Sequence, residues 1–196
     1  RRLMSLEIKI SSTGKYLNVN SLGKNTNRQM IPKNLPETNR KVQNVLVRMK
    51  KDLAEMIKAD IENNIKRGVK YTGGKVADLK KSTYERKGFR RPLFETGQLL
   101  KGVKIKKSGK NYIISMSDTK YRKRYKGQKS TPTIAEVAGY LQAGNSNMRA
   151  RPFFGMTKSK SELFFNKMSN KYGRVLANII VRDFKNPQTV GNMRVF

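Results

Sequence analysis

The apolar residues Val42, Val45, Leu46, Met49, Leu53, Met56, Ile57, Ile61 and Ile65 fall on one face of a helical projection, recurring at intervals of three and four. That periodicity predicts a long amphipathic helix from about Thr38 to a stop at Gly68. Some 30 residues rising ~1.5 Å each give roughly 45 Å, longer than a domain of this size is wide, so one end is expected to project beyond the core. The polar face is mostly Lys, Arg and Asn, with Glu62 and Lys66 spaced for a helical ion pair.

The rest of the chain must be built around that rod. Leu6, Ile8 and Ile10 alternate with Glu7 and Lys9, the period of a half-buried strand. Residues 11–37 turn to Ser, Asn, Gly, Lys and Pro, too poor in apolar groups to order alone, and read as an arm. After Thr72-Gly73-Gly74, residues 76–87 read as a short helix and residues 88–92 as a loop. Val103 and Ile105 alternate with Lys104 and Lys106, and Tyr112, Ile113, Ile114 and Met116 follow Ser108-Gly109, as in a hairpin. Residues 133–143 look helical with Gly144 as the stop, and residues 150–154 look extended. A final helix is predicted with Ser159 and Glu162 at capping-box spacing. Its apolar face is Leu163, Phe164, Met168, Val175, Leu176, Ile179, Ile180 and Phe184, and Pro187 ends it. The sum is an α+β fold: a long N-terminal helix and a C-terminal helix packed on a small, mostly antiparallel sheet. The organisation expected is an N-terminal strand and arm over 1–36, one α+β domain over 37–184 and a tail over 185–196.

Charge bears on function more than on fold. Lys and Arg number 44 against 13 Asp and Glu, with no His, for a net charge of +31 on 196 residues. Such a body repels itself and is most stable beside a polyanion or among acidic neighbours. A chain of this length buries roughly 70% of the surface it exposes when unfolded, enough for one core. Cys is absent, which removes disulfides and thiolate metal sites. No apolar run reaches membrane-spanning length, and residues 1–10 lack the apolar block of a secretory signal, so a soluble product without membrane partners is expected. Met4 is a candidate native start.

Without His or Cys, the usual serine and cysteine triads lack a member. Asp52 and Glu55 share a helix face as a nuclease carboxylate pair would, but among Lys50, Lys51 and Lys58 they read as solvated helix residues. Residues 68–75 suggest a phosphate loop, yet Lys75 is followed by Val76 rather than Ser or Thr, leaving an ordinary turn. Neither catalytic residues nor a cofactor or metal site is expected. The run Lys120-Tyr121-Arg122-Lys123-Arg124-Tyr125-Lys126, with Lys129 beyond it, sets cations beside two rings. A single-stranded nucleic-acid surface is built this way, and so is a wet or subunit-facing loop. Because positive charge is spread along the whole chain, sequence-independent phosphate contact is favoured over base readout.

Four segments occur in an order that resembles the phage virion morphogenesis family, the tail-completion proteins of the bacteriophage neck. They are Leu79-Lys80-Lys81-Ser82-Thr83-Tyr84-Glu85-Arg86-Lys87-Gly88; Leu93-Phe94-Glu95-Thr96-Gly97-Gln98-Leu99-Leu100-Lys101-Gly102-Val103; Ala138-Gly139-Tyr140-Leu141-Gln142-Ala143-Gly144; and Arg149-Ala150-Arg151-Pro152-Phe153-Phe154-Gly155. Leu141 stands where the family pattern has His, and Arg149 where it has Pro. The resemblance spans residues 79 to about 184.

Each motif residue has a physical job to suggest. Thr96 is placed to cap a short helical turn with its hydroxyl, Gly97 to let the chain bend, and Leu93 and Leu99 to anchor the turn. Arg151, before Pro152, is placed to pair with an acid in this subunit or a neighbour, and Phe153 and Phe154 to bury on the sheet or helix. The resemblance implies a non-enzymatic virion protein that completes the tail and helps join head to tail, made in the host cytoplasm. It implies a closed ring, a hexamer by the symmetry of phage tails, with other neck, connector and tail proteins as partners. DNA in the ring lumen is a further expected neighbour, met without sequence specificity. The competing readings are a free-standing, sequence-independent nucleic-acid-binding protein and a phage nuclease acting through Asp52.

Overall fold

A computed structural model of the chain describes residues 5–8, 35–88, 90–94, 96–109, 111–121, 130–144, 146 and 148–185. In order these form β1 (Ser5–Ile8), α1 (Leu35–Arg67), α2 (Lys81–Lys87), α3 (Gln98–Lys101), β2 (Val103–Ser108), β3 (Asn111–Met116), α4 (Ile134–Ala143) and α5 (Lys158–Lys185). The fold is α+β, with a long N-terminal and a long C-terminal helix. Ile10, the arm over 11–34, Pro187 and the tail over 186–196 lie outside the described residues.

The sheet is antiparallel in the order β1-β3-β2. Alternation decides which side of it is buried. Val103 is opposite Met116 and Ile105 opposite Ile114, and these residues with Tyr112 turn toward the core, while Lys104 and Lys106 point away and are exposed. The N-terminal strand β1 completes the sheet on the far side of β3, in register Leu6↔Ile114 and Ile8↔Tyr112.

The apolar stripe of α1 is the spine of the core. Met49, Leu53, Ala54, Ile57, Ile61 and Ile65 join Val76, Leu93, Leu99, the sheet residues, Ile134, Ala138 and Phe153 in one cluster. Its polar face carries three (i, i+4) pairs, Lys41–Glu37, Lys51–Glu55 and Lys58–Glu62. The partner of Glu62 is therefore Lys58, one turn before it, rather than Lys66.

The projecting end of α1 is not bare. Val42 and Val45 pack with Leu176 in a second, smaller cluster, joined by the half-buried Leu46, Tyr172 and Ile179. The two long helices run antiparallel, since Asp60 meets Lys160, Asp52 meets Lys171 and Thr38 meets Asp183. Beyond the sheet they form a two-helix arm.

Three local expectations are corrected. Helix α2 covers only Lys81–Lys87, and residues 76–80 run without helix; the carbonyls of Ala77 and Asp78 are taken by Arg151 and Val76 N donates to Gly68 O, so no helical ladder forms there. The hydroxyl at the start of α5 is that of Thr157, which accepts from Lys160 N at 3.3 Å; Ser159 already lies inside the helix. Within α5, Phe164, Met168 and Leu176 are buried but Leu163 and Val175 are exposed. The seam follows steps of four, Phe164, Met168, Tyr172 and Leu176, which leaves those two residues to one side.

Candidate functional site

Three of the four segments that carry the family resemblance, residues 93–103, 138–144 and 149–155, meet at one corner of the fold. Helix α4 begins with a complete capping box, Thr133 accepting from Glu136 N and the Glu136 carboxylate accepting from Thr133 N. It ends at Gly144 with φ 70° and ψ −176°, a region open essentially to glycine alone. A Cβ there would sit 2.6 Å from Ala150 N. The chain thus folds straight back along α4, and Arg151 N donates to Leu141 O at 2.7 Å.

Gln142 fastens the returning strand. Its Oε1 accepts from the amides of Phe153 and Phe154 at 3.1 Å each, and its Nε2 donates to Phe154 O at 2.8 Å. Asn64, buried on α1, donates to Phe153 O at 3.2 Å, and Tyr71 N donates to Pro152 O at 2.9 Å. Every polar group of residues 151–154 named here is bonded within the chain, while the two rings bury edge to face at 6.4 Å.

Arg151 is itself 4% exposed. Its Nε donates to Ala77 O at 2.8 Å and its Nη2 to Asp78 O at 3.0 Å. The expected acid partner is thus replaced by two backbone carbonyls of the same chain. Burial lowers the Arg151 pKa and the nearby Asp78 carboxylate opposes this; a guanidinium stays protonated nonetheless.

The 93–102 segment is the other half of the corner. Leu93 and Leu99 are buried in the main cluster, and Gly97, at φ 71°, occupies the N-cap position of α3. No side chain caps that helix, so the capping role assigned to Thr96 is corrected. Its Oγ1 instead accepts from Gln98 Nε2 at 2.8 Å, with Tyr121 Oη 3.5 Å away. Gly102 lets α3 approach α4, because a Cβ there would lie 2.5 Å from Ile134 Cγ2.

Along the two-helix arm, polar groups of α1 and α5 are paired at three levels. Asp60 receives Lys160 Nζ at 2.6 Å and 2.7 Å on its two oxygens. Asp52 Oδ2 accepts from Lys171 Nζ at 2.5 Å and from Tyr172 Oη at 2.7 Å. Asp183 accepts from Thr38 Oγ1 at 2.5 Å and stands 3.8 Å from Lys41 Nζ. Asp52 is therefore an inter-helix anchor rather than a merely solvated residue. The bonds from Lys171 and Tyr172 lower its pKa and, reciprocally, raise theirs.

The basic surface is placed in part. Lys120 is exposed and bridged to Thr133, but Tyr121 is 4% exposed, which removes it as a stacking platform. Arg122, Lys123, Arg124, Tyr125, Lys126 and Lys129 lie outside the described residues. Seven of the twelve acids among the described residues, Glu37, Asp52, Glu55, Asp60, Glu62, Glu85 and Asp183, are already in ion pairs with lysines of this chain. Among the described residues no group of three or more His, Cys, Asp or Glu could hold a metal ion, and no helix is long and apolar enough to cross a membrane.

Sequence reasoning missed Gln142, Asn64 and the Asp52–Lys171–Tyr172 cluster as organising groups. Gln142 is visible in the sequence as a member of a resembling segment, two residues before a terminal glycine, but without a role; nothing local marks the other two. No family model matches the chain, and no curated protein or solved structure matches it either.

Proposed function

We propose that this chain is a structural component of a bacteriophage neck, completing the tail and helping to join head to tail as one subunit of a ring around the DNA path. The observation that carries the reading is the use made of the resembling motifs. Leu93, Gly97, Leu99, Gly144, Arg151 and Phe153 are all committed to shape or burial, as scaffold residues are. What remains to act is surface, in the form of a basic sheet edge and a two-helix arm reaching past the core. Both suit a subunit wedged among others, and the surplus charge is tolerated where those neighbours or DNA neutralise it. By the symmetry of phage tails the ring is a hexamer; its partners are other neck, connector and tail proteins, and its site is the virion after assembly in the host cytoplasm.

Electron microscopy of particles made without this protein tests the proposal. Filled heads accumulating apart from tails are the expected result; normal, infectious particles would overturn it. The reading as a free nucleic-acid-binding protein draws on the internally paired acids, which leave the exposed cations unneutralised. A freely acting binder would be missing from purified particles and would hold nucleic acid unaided, with an affinity falling steeply as salt rises.

A further inference from the structure

We infer that the β2 edge of the sheet is a docking surface for the phosphodiester backbone of duplex DNA, contacted through Lys101, Lys104, Lys106 and Lys107. The inference rests on the neck reading only for the source of the duplex. All four lysines are exposed, and none forms an ion pair with a described residue. Lys101 closes α3, and the other three follow within the next six positions on β2.

The architecture explains why they stand together. Because β3 lies between β1 and β2, the outer edge of β2 pairs with no described strand. Alternation sends Val103 and Ile105 to the α1 side and Lys104 and Lys106 to the opposite side. The core clusters hold only residues of the α1 side, so no described helix covers the lysine side. Lys107, opposite Tyr112 at the turn end of the hairpin, is exposed but by the same alternation leans to the other face of the edge. The only acid in register on the sheet is Glu7, opposite Ile113 and so one strand removed from β2. At ~3.3 Å per residue, Lys104 and Lys106 stand roughly 7 Å apart on one face, and Lys107 extends the positive edge by roughly 3 Å from the other.

Charge complementarity selects a polyanion, and the lack of exposed rings beside the lysines among the described residues selects the duplex. A single-strand surface stacks bases on exposed aromatics as well as holding phosphates. Here β3 offers Ile113 and Ser115 on the lysine side, and Tyr112 is buried. Phosphate contact without stacking or base readout is what sequence-independent duplex binding requires. Lysines on a free edge also guard against strand pairing between molecules, so the experiment has to separate the two roles.

The test compares two variants of the full chain that lose the same charge. In one, Lys101, Lys104, Lys106 and Lys107 become Gln. In the other, Lys41, Lys51, Lys58 and Lys81 become Gln; each of these is paired with a glutamate in this chain. Binding to a 30-base-pair duplex is titrated against salt. Each lost phosphate contact removes ~0.9 from the slope of log K against log salt, so the β2 variant is expected to lose roughly 3.6 and the control less than about 1. Equal losses would overturn the inference, reducing the binding to net charge. Should the β2 variant associate through its edge, lysine acylation of the unaltered chain decides. Protection of the four lysines by bound duplex, with Lys51 unprotected, supports the site, and uniform reactivity sinks it. Equal slopes with the protein still present in virions would leave the neck reading intact, whereas a lysine-specific slope in a protein missing from virions would remove that reading and keep the site.

Discussion

The corner around Arg151 and the arm formed by α1 and α5 are held by different physics. At the corner, one side chain often closes several backbone bonds: Gln142 makes three to the strand that folds back beside its helix, and Arg151 makes two to a segment more than 70 residues away. Along the distal arm, apolar burial amounts to Val42, Val45 and Leu176, and the polar groups that cross it are ion pairs reached by solvent together with hydrogen bonds from Thr38 and Tyr172. The corner is therefore rigid, and the arm is the part free to adapt. A subunit that must lock into place in an assembly needs both, a fixed scaffold and an element whose packing can be completed by a neighbour.

The comparison breaks first at Phe153, the largest fully buried side chain. Phe153→Ala is expected to cost about 3–5 kcal/mol, as a cavity in the main cluster, and to unfold the whole domain in a single thermal transition. Arg151→Ala follows closely, because the buried guanidinium's two part-buried, charge-assisted bonds to the Ala77 and Asp78 carbonyls are lost at ~1.5–3 kcal/mol each. Chemical denaturation of both variants checks this; a loss under about 1 kcal/mol in either would mean that the corner is not the keystone described here.

Leu176→Ala probes the other side. Truncation in so small a cluster is expected to cost ~2 kcal/mol, at the low end for a core leucine, since the thin packing can collapse or admit water. Hydrogen exchange should rise in residues 38–49 and 171–183 while α4 and the sheet stay protected. Faster exchange everywhere would show that arm and corner open as one unit.

How far this difference is legible in the sequence depends on the range of the interactions. Periodicity sufficed for α1, the hairpin and α4, where hydrophobic spacing, Thr133 with Glu136 and the terminal Gly144 are all local signals. It failed at residues 76–80, whose carbonyls bond Arg151 more than 70 residues away. It failed at Asp52 for the same reason, its partners Lys171 and Tyr172 lying 119 and 120 residues on. Leu93, Leu99, Phe153 and Phe154 are legible as anchors and are buried, whereas Thr96 does not cap, because the αL conformation of Gly97 itself makes the bend into α3.

Gly173 sharpens the comparison with a change of opposite sign. It lies within α5, and an added Cβ there would meet nothing within 4 Å. In an exposed helix interior, glycine is less favourable than alanine by roughly 0.5–1 kcal/mol. Gly173→Ala is therefore expected to raise the melting temperature of the isolated protein and slow exchange in the arm alone. A decrease would show that α5 needs flexibility, or a closer approach, at this point even in the single chain.

The smallest effect is expected at Asp52, and its pH dependence carries the information. The bonds from Lys171 and Tyr172, with the nearby Lys51 adding attraction, depress the Asp52 pKa in the folded arm. A depressed acid stabilises at pH above its unfolded value of about 4, and that contribution disappears as protonation sets in below. The Lys171 pKa is raised, so its share is complete below about pH 10 and fades as the ammonium deprotonates above it. The pair therefore acts across a plateau between these limits. Because the chain contains no Cys, Asn44→Cys with Asn178→Cys, both exposed positions on α1 and α5, gives a labelled pair that reports arm opening. Asp52→Asn should widen the distance distribution by the same small amount from about pH 5 to pH 9, and the difference from the parent should shrink on either side. A difference that persisted unchanged at pH 3 would mean that Asp52 acts through its shape and neutral hydrogen bonds, and that its charge does not hold the arm closed.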